Sequence, residues 1–233
     1  MKTIRLISMG TCLVLMLTGC FSPMREASGW KVARESAPVA PTIARAMGFH
    51  YGPVVAHRIR QWQALMENAA SHSEADNLRR VNDFFNGARF VDDAVSWGEN
   101  DYWATPLEFL VRDAGDCEDF ATAKYFTLQK MGVAPAKLRL VYSTFRDTGQ
   151  AHMVLAYYPD QSGDPLVLDN INRRIRPGSE RSDLVPIFSF NGDSLWLARR
   201  DSRPLRAGSP GSLQRWSHWQ KRSRQQFLAS GES

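Results

Sequence analysis

Residues 105–132 read TPLEFLVRDAGDCEDFATAKYFTLQKMG, and two helix starts lie within them. Thr105, Pro106 and Glu108 supply a hydroxyl cap, a proline at the first helical position and a glutamate that closes a capping box. They predict a short helix that ends near Gly115. A second helix begins at once, with Asp116 as its cap and Cys117 in its first turn, and it ends at Gly132. Phe120, Ala121, Ala123, Tyr125, Phe126, Leu128 and Met131 surround this second helix with apolar groups on almost every side. Such a helix is buried, not laid on a surface.

Strand character follows at 138–144, 151–158 and 166–171, with the turn-rich stretches DTGQ and PDQSGD between. Their short connections favour antiparallel neighbours. Residues 188–197, with Asn191 and Gly192 at the centre, read as a further hairpin. Upstream, residues 54–86 have a helical pattern in which Leu78, Val81 and Phe85 share one face. Residues 87–102 are irregular, broken by Gly98 and Asn100. The expected fold is α+β, with Cys117 at the start of a buried helix packed on an antiparallel sheet.

The chain has 233 residues and three cysteines. Two of the cysteines fall in the leader, residues 1–20, whose basic start, short apolar stretch and LTGC ending match an export signal. The apolar stretch is too short to span a membrane, which takes about 20 residues. LTGC resembles a lipobox that would leave Cys20 lipid-bearing; a plain secretory signal is the alternative. Either one takes the chain out of the cytoplasm, where Cys117 is an odd thiol without a partner. Residues 21–48, with Pro23, Pro38 and Pro41, read as a tether, residues 49–198 as one domain, and residues 199–233 as a basic tail. Residues 1–198 carry 21 basic and 22 acidic groups, a net of −1, whereas residues 199–233 carry 8 and 2, a net of +6. The tail has two readings: a solvated extension, or a segment lying against anionic lipid. Nucleic acid is an unsuitable partner for an exported chain.

Cys117, His152 and Asp169 form the candidate catalytic set. A thiolate is favoured at a helix start beside an imidazolium, His152 would carry the proton, and Asp169 would hold the ring. The Cys117 backbone N–H is a natural oxyanion donor, with the Trp103 indole as a second candidate, and Asn170 is the alternative orienter. The strand period puts His152 on the face of Val154 and Ala156. Asp169 reaches that face if it pairs near Val154, and a slip of one residue would send it to the other side.

Asp116, Glu118 and Asp119 crowd the thiol and oppose its ionisation. One account makes Asp116 a cap and Asp119 the close of a capping-box-like start. The other is a divalent cation on the three carboxylates, calcium above all because it takes about six to eight oxygens. Zinc fits less well, since neither CxxC nor HExxH occurs.

WATPLEFLVRDAGDCEDFATAKYFTL, LRLVY, AHMVLAYY, PLVLDNIN and VPIFSFN together resemble the bacterial transglutaminase-like cysteine proteinases, specifically the LapG-type periplasmic proteases, over about residues 51–197. The resemblance implies a papain-like or transglutaminase-like fold, a triad of Cys117, His152 and Asp169, and calcium dependence with the family's acidic motif on Asp116, Glu118 and Asp119. It further implies, as substrate, the N-terminal region of a large type I-secreted surface adhesin, whose cleavage releases cells from a biofilm. The implied regulator is a LapD-type inner-membrane receptor for cyclic di-GMP that sequesters the protease. A transglutaminase of the same fold and a catalytically idle binding module are the alternatives. The LTGC motif and the basic C-terminal segment lie outside the resemblance.

Overall fold

The computed structural model describes residues 41–160, 163–199 and 202–228. The leader, most of the expected tether and the last five residues lie outside the described residues. Seven α-helices are described: α1 (Pro41–Tyr51), α2 (Pro53–Glu67), α3 (Glu74–Asn86), α4 (Asp93–Ser96), α5 (Pro106–Arg112), α6 (Cys117–Lys130) and α7 (Gln214–Leu228). Among them run nine strands: β1 (Arg89–Phe90), β2 (Ala114–Gly115), β3 (Leu138–Phe145), β4 (Ala151–Tyr157), β5 (Leu166–Leu168), β6 (Arg176–Pro177), β7 (Leu184–Phe190), β8 (Leu195–Arg199) and β9 (Ser202–Gly208). The short β1 and β2 pair in parallel, and the rest form one antiparallel sheet in the order β6-β5-β4-β3-β7-β8-β9.

The strand period divides the sheet into two apolar faces. Leu138, Leu140, Met153, Leu155, Leu168 and Phe190 belong to the main core, where they meet Trp62, Phe85, Phe109, Phe120 and Leu128 from the helices. Val154, Val167 and Leu184 form a smaller cluster with Val141 and Phe145. Helix α6 packs on β3 and β4 as its all-round apolar character requires. Phe85, Phe109 and Phe120 stack edge to face, tying α3, α5 and α6 together. The Trp62 indole donates to Thr127 Oγ1 at 2.9 Å, so the largest buried ring of α2 leaves no unmet donor inside.

Two expectations are corrected, and one is refined. The tether is shorter than 21–48, because residues 41–51 form α1 and bury Ile43 and Ala44 against the core. The helical stretch 54–86 is present as α2 and α3, separated by a break that ends at the Ser73 cap, whose side chain accepts from the Asp76 N–H. Within the expected tail, the described residues 202–228 are not a solvated extension. They add strand β9 and helix α7, and α7 buries Trp216 and Trp219 in the core. Ion pairs from Arg215 to Asp101 and from Arg222 to Glu108 hold the helix down. Charge counting misled here because the arginines face acidic partners far away in sequence, while two tryptophans carry the packing. No helix among the described residues is long and apolar enough to cross a membrane.

Candidate active site

The Thr105 capping box forms as the residues predict, with Thr105 Oγ1 accepting from the Glu108 N–H and the Glu108 carboxylate accepting from the Thr105 N–H. Helix α5 stops at Arg112, where Asp113 takes the left-handed conformation at φ 51°. The chain crosses β2 and turns into α6. Gly115 is required in that crossing: a Cβ there would lie 2.6 Å from Asp119 Oδ2 and 2.9 Å from the Phe109 ring. The GDCED run is thus compressed against its own next turn, which brings its carboxylates together around the thiol.

Cys117 occupies the first position of α6, and its half-buried thiol donates to Glu118 Oε2 at 3.1 Å. The sulfur also meets the backbone N–H of Met153, the residue after His152 on β4. His152 is 2 % exposed, its ring stacks on Phe145, and its Nε2 lies 2.9 Å from Asp169 Oδ1. The pairing Leu155↔Leu168, continued by one residue, sets Asp169 opposite Val154 and therefore on the histidine's face. Strand β5 itself ends at Leu168, so Asp169 is the first residue beyond it. With Nε2 engaged by the carboxylate, Nδ1 is the ring atom free for a proton from elsewhere. The structure joins His152 to Asp169 and sets the sulfur against the adjacent strand position. Asn170 takes no part in holding the ring.

Two buried cations near Asp169 were not anticipated from the sequence. Arg181 donates through Nη2 to Asp169 Oδ2 at 2.8 Å and, with Nε and Nη2, to both oxygens of Asp183. Burial works against the Asp169 charge, but the His152 hydrogen bond and charge, the Ile171 N–H and Arg181 outweigh it and hold the carboxyl at about 2. Lys124, two turns after Cys117 on α6, is 1 % exposed and donates to Asn82 Oδ1 at 2.9 Å. Burial brings this amine down to about 7 against the opposing field of Asp169. The Asn86 amide donates to the Asp169 carbonyl at 2.8 Å, so α3 also braces the loop.

The acidic cluster is larger than the GDCED run. Ligand atoms of Asp93, Asp116 and Asp119 lie within 4.8 Å of one another, as do those of Asp93, Asp101 and Glu118. Asp93 and Asp101 come from the stretch expected to be irregular; Asp93 begins α4, and nothing in its local spacing announces a ligand. Asp116 stands in the cap position but makes no cap hydrogen bond, and Asp119 Oδ1 accepts from the Ala104 N–H instead of closing a box. The capping account of these charges is therefore incorrect.

Asp93 Oδ1, Asp116 Oδ1 and Asp119 Oδ2 are buried without a hydrogen-bond partner. Burial and then the neighbouring carboxylates raise Asp116 and Asp119 and push Asp93 up to about 6; burial also raises Glu118, against the hydrogen bonds from Asp116 and Cys117. Burial followed by Glu118 likewise pushes the Cys117 thiol up, the reverse of what a helix start alone would do. Three orphaned buried oxygens, on carboxylates whose ligand atoms gather within 4.8 Å, suit a hard, oxygen-binding cation. The Trp103 indole N–H is committed to Asp101 Oδ1 at 2.9 Å, which removes it as the second oxyanion donor in this arrangement.

Comparison with known proteins agrees with this architecture. No match is found among curated protein sequences. An EGTA-treated structure of Legionella pneumophila LapG is 36 % identical and superposes with a TM-score of 0.70, covering 79 % of this chain and 97 % of the other. A calcium-bound structure of the same protein is 37 % identical, with a TM-score of 0.68 over 78 % of this chain and 98 % of the other. The model of the bacterial transglutaminase-like cysteine proteinases matches residues 58–183, which contain Cys117, His152, Asp169 and the acidic cluster. The chain belongs to the bacterial transglutaminase-like cysteine proteinase family, and its fold is that of LapG.

Proposed function

We propose that this cysteine proteinase is a calcium-dependent periplasmic endopeptidase that uses Cys117 as nucleophile, His152 as general base and acid, and Asp169 as orienter. The observation that carries this reading is the buried His152–Asp169 pair at 2.9 Å, on β4 and just beyond the end of β5, beside a helix start whose sulfur reaches the β4 backbone at Met153. In the reaction His152 Nδ1 accepts the thiol proton, and the sulfur adds to the scissile carbonyl. The amine then departs with that proton. Water, deprotonated by the same nitrogen, hydrolyses the thioester and restores the thiol. The Cys117 backbone N–H, at the first position of α6 and so without an intrahelical acceptor, would donate to the developing oxyanion.

Asp93, Asp101, Asp116, Glu118 and Asp119 would hold calcium, and a bound ion would supply the positive field that offsets the carboxylates around the thiol. The calcium-bound LapG structure supports this assignment. The substrate in this reading is the N-terminal region of a large type I-secreted adhesin, with a LapD-type cyclic di-GMP receptor as sequestering partner and Cys20 as a possible lipid anchor. The substrate and the receptor are carried by the family resemblance and the Cys20 anchor by the LTGC ending alone; none of the three follows from the geometry.

The test is cleavage of a purified adhesin N-terminal region. Wild-type protein cuts with calcium, stops in EGTA and resumes when calcium is returned; Cys117→Ala folds normally and does not cut. Undiminished cutting by Cys117→Ala rejects the triad, and undiminished cutting in EGTA rejects the calcium requirement. Transfer of an added amine in place of hydrolysis reassigns the enzyme as a transglutaminase.

A further inference from the structure

The exposed groups of the α1–α2 hairpin belong to neither the acidic cluster nor the triad and have no use in the proposed chemistry. Phe49 is 89 % exposed, Tyr51 57 % and Val54 69 %, all within six residues at the turn between the two helices. They sit at the tip of a hairpin whose other side is anchored in the core through Ile43, Ala44, Val55 and Ile59. Gly48 lets the helices approach closely, since a Cβ there would fall 2.7 Å from that of Ala56. Beside this crossing lies an open cleft of about 460 Å³ lined by Ala44, Arg45, Gly48, Pro53, Ala56 and Arg60.

The charge around the tip has one sign. Residues 41–66 contain Arg45, Arg58 and Arg60, together with His50 and His57, and no acidic residue. Arg58 is bound to Asp113 and the Leu110 carbonyl, but Arg45 and Arg60 have no hydrogen bond or ion pair among the described residues. Exposed aromatic rings beside basic groups that lack counter-charges are the composition of an interfacial anchor. The rings suit the boundary between headgroups and acyl chains, and the guanidiniums suit lipid phosphates.

We propose that the α1–α2 tip docks on an anionic membrane surface, with Phe49, Tyr51 and Val54 entering the headgroup layer and Arg45 and Arg60 binding lipid phosphate across the cleft mouth. A protein partner is the less favoured occupant, because the apolar patch is three side chains wide while its cationic neighbours Arg45 and Arg60 are unneutralised among the described residues. The membrane contact is independent of the protease reading and of any acyl chain on Cys20.

The experiment is sedimentation of the full chain carrying Cys20→Ser with vesicles of phosphatidylcholine alone or with added phosphatidylglycerol. The expected result is binding to the anionic vesicles that weakens in high salt and on neutral vesicles. The triple variant Phe49→Ser/Tyr51→Ser/Val54→Ser should lose about tenfold or more in partitioning, and Arg45→Gln/Arg60→Gln about fivefold per charge removed. These side chains are exposed, so circular dichroism and Tm of the variants should match the parent. Failure to bind anionic vesicles, or binding equal in parent and variants, overturns the proposal. So does a variant set that changes self-association in analytical ultracentrifugation while leaving vesicle binding intact, which would make the tip a contact between copies.

Discussion

Replacing Arg181 with Met removes a guanidinium whose side chain is 3 % exposed while keeping most of its length and apolar contact. Its Nη2 bond to Asp169 Oδ2 at 2.8 Å ends at a carboxylate that is 0 % exposed, so the variant strands one member of a buried ion pair. Breaking such a pair costs about 3–5 kcal/mol. Asp169 keeps the His152 bond and the Ile171 N–H, and Asp183 is 45 % exposed and readily rehydrated, which sets the expected loss at about 3 kcal/mol. A domain with roughly 5–15 kcal/mol of stability stays folded under that loss.

Acid dependence gives a second readout. Asp169 is held at about 2 against an ordinary 3.8, which corresponds to roughly 2 kcal/mol of stability, fully present above the ordinary value and lost as pH falls from about 4 toward 2. Without Arg181 the folded-state value rises, and that contribution shrinks. The assay is urea unfolding at pH 7 and through the acid range, with cleavage rates measured where the variant is folded. kcat should fall more than KM changes, because a loosened Asp169 misorients His152 without touching substrate contacts. A loss below about 0.5 kcal/mol at pH 7, the range of ordinary surface changes, with an unaltered acid profile refutes the idea that Arg181 fixes the carboxylate.

Asp93→Asn should diminish the rise in Tm that calcium produces, since it removes a charge shared by two of the carboxylate groupings; a calcium titration unchanged from the parent would exclude Asp93 as a ligand. Lys124 sits below its ordinary 10.5 at about 7, so the unfolded chain holds the extra proton between those values and stability climbs with pH across that window, by at most about 1.4 kcal/mol per pH unit from this group. Lys124→Met should flatten that slope in chemical denaturation, and an unchanged slope would show that the amine is not the source. Trp219→Ala should cost about 3–5 kcal/mol, because the ring is 3 % exposed, stacks on Trp216 and donates to the Ala104 carbonyl at 2.9 Å. Near-parent stability of this variant would mean that α7 is dispensable to the domain.

The local code of residues 105–132 made both helix starts, the buried character of α6 and the place of Cys117 readable in advance, because caps, proline, glycine and apolar spacing act over a few residues. Strand-forming runs bounded by turn residues did the same for β3 and β4, and the face of His152 followed from the two-residue period of a strand. The partner of that histidine needed the β4–β5 register, which short-range pattern leaves open to a slip of one position.

Three features were invisible because contacts between distant segments make them. Asp93 and Asp101 join the GDCED carboxylates only when α4 and the following loop pack beside α6. Arg181 looks like any loop arginine until the chain folds back and buries it on Asp169. The basic C-terminal segment looks like a tail until Trp216 and Trp219 find the core. Backbone preference is settled by near neighbours, whereas a charge takes its meaning from whatever lies within a few ångströms in space, and that is set by burial and packing across the whole domain.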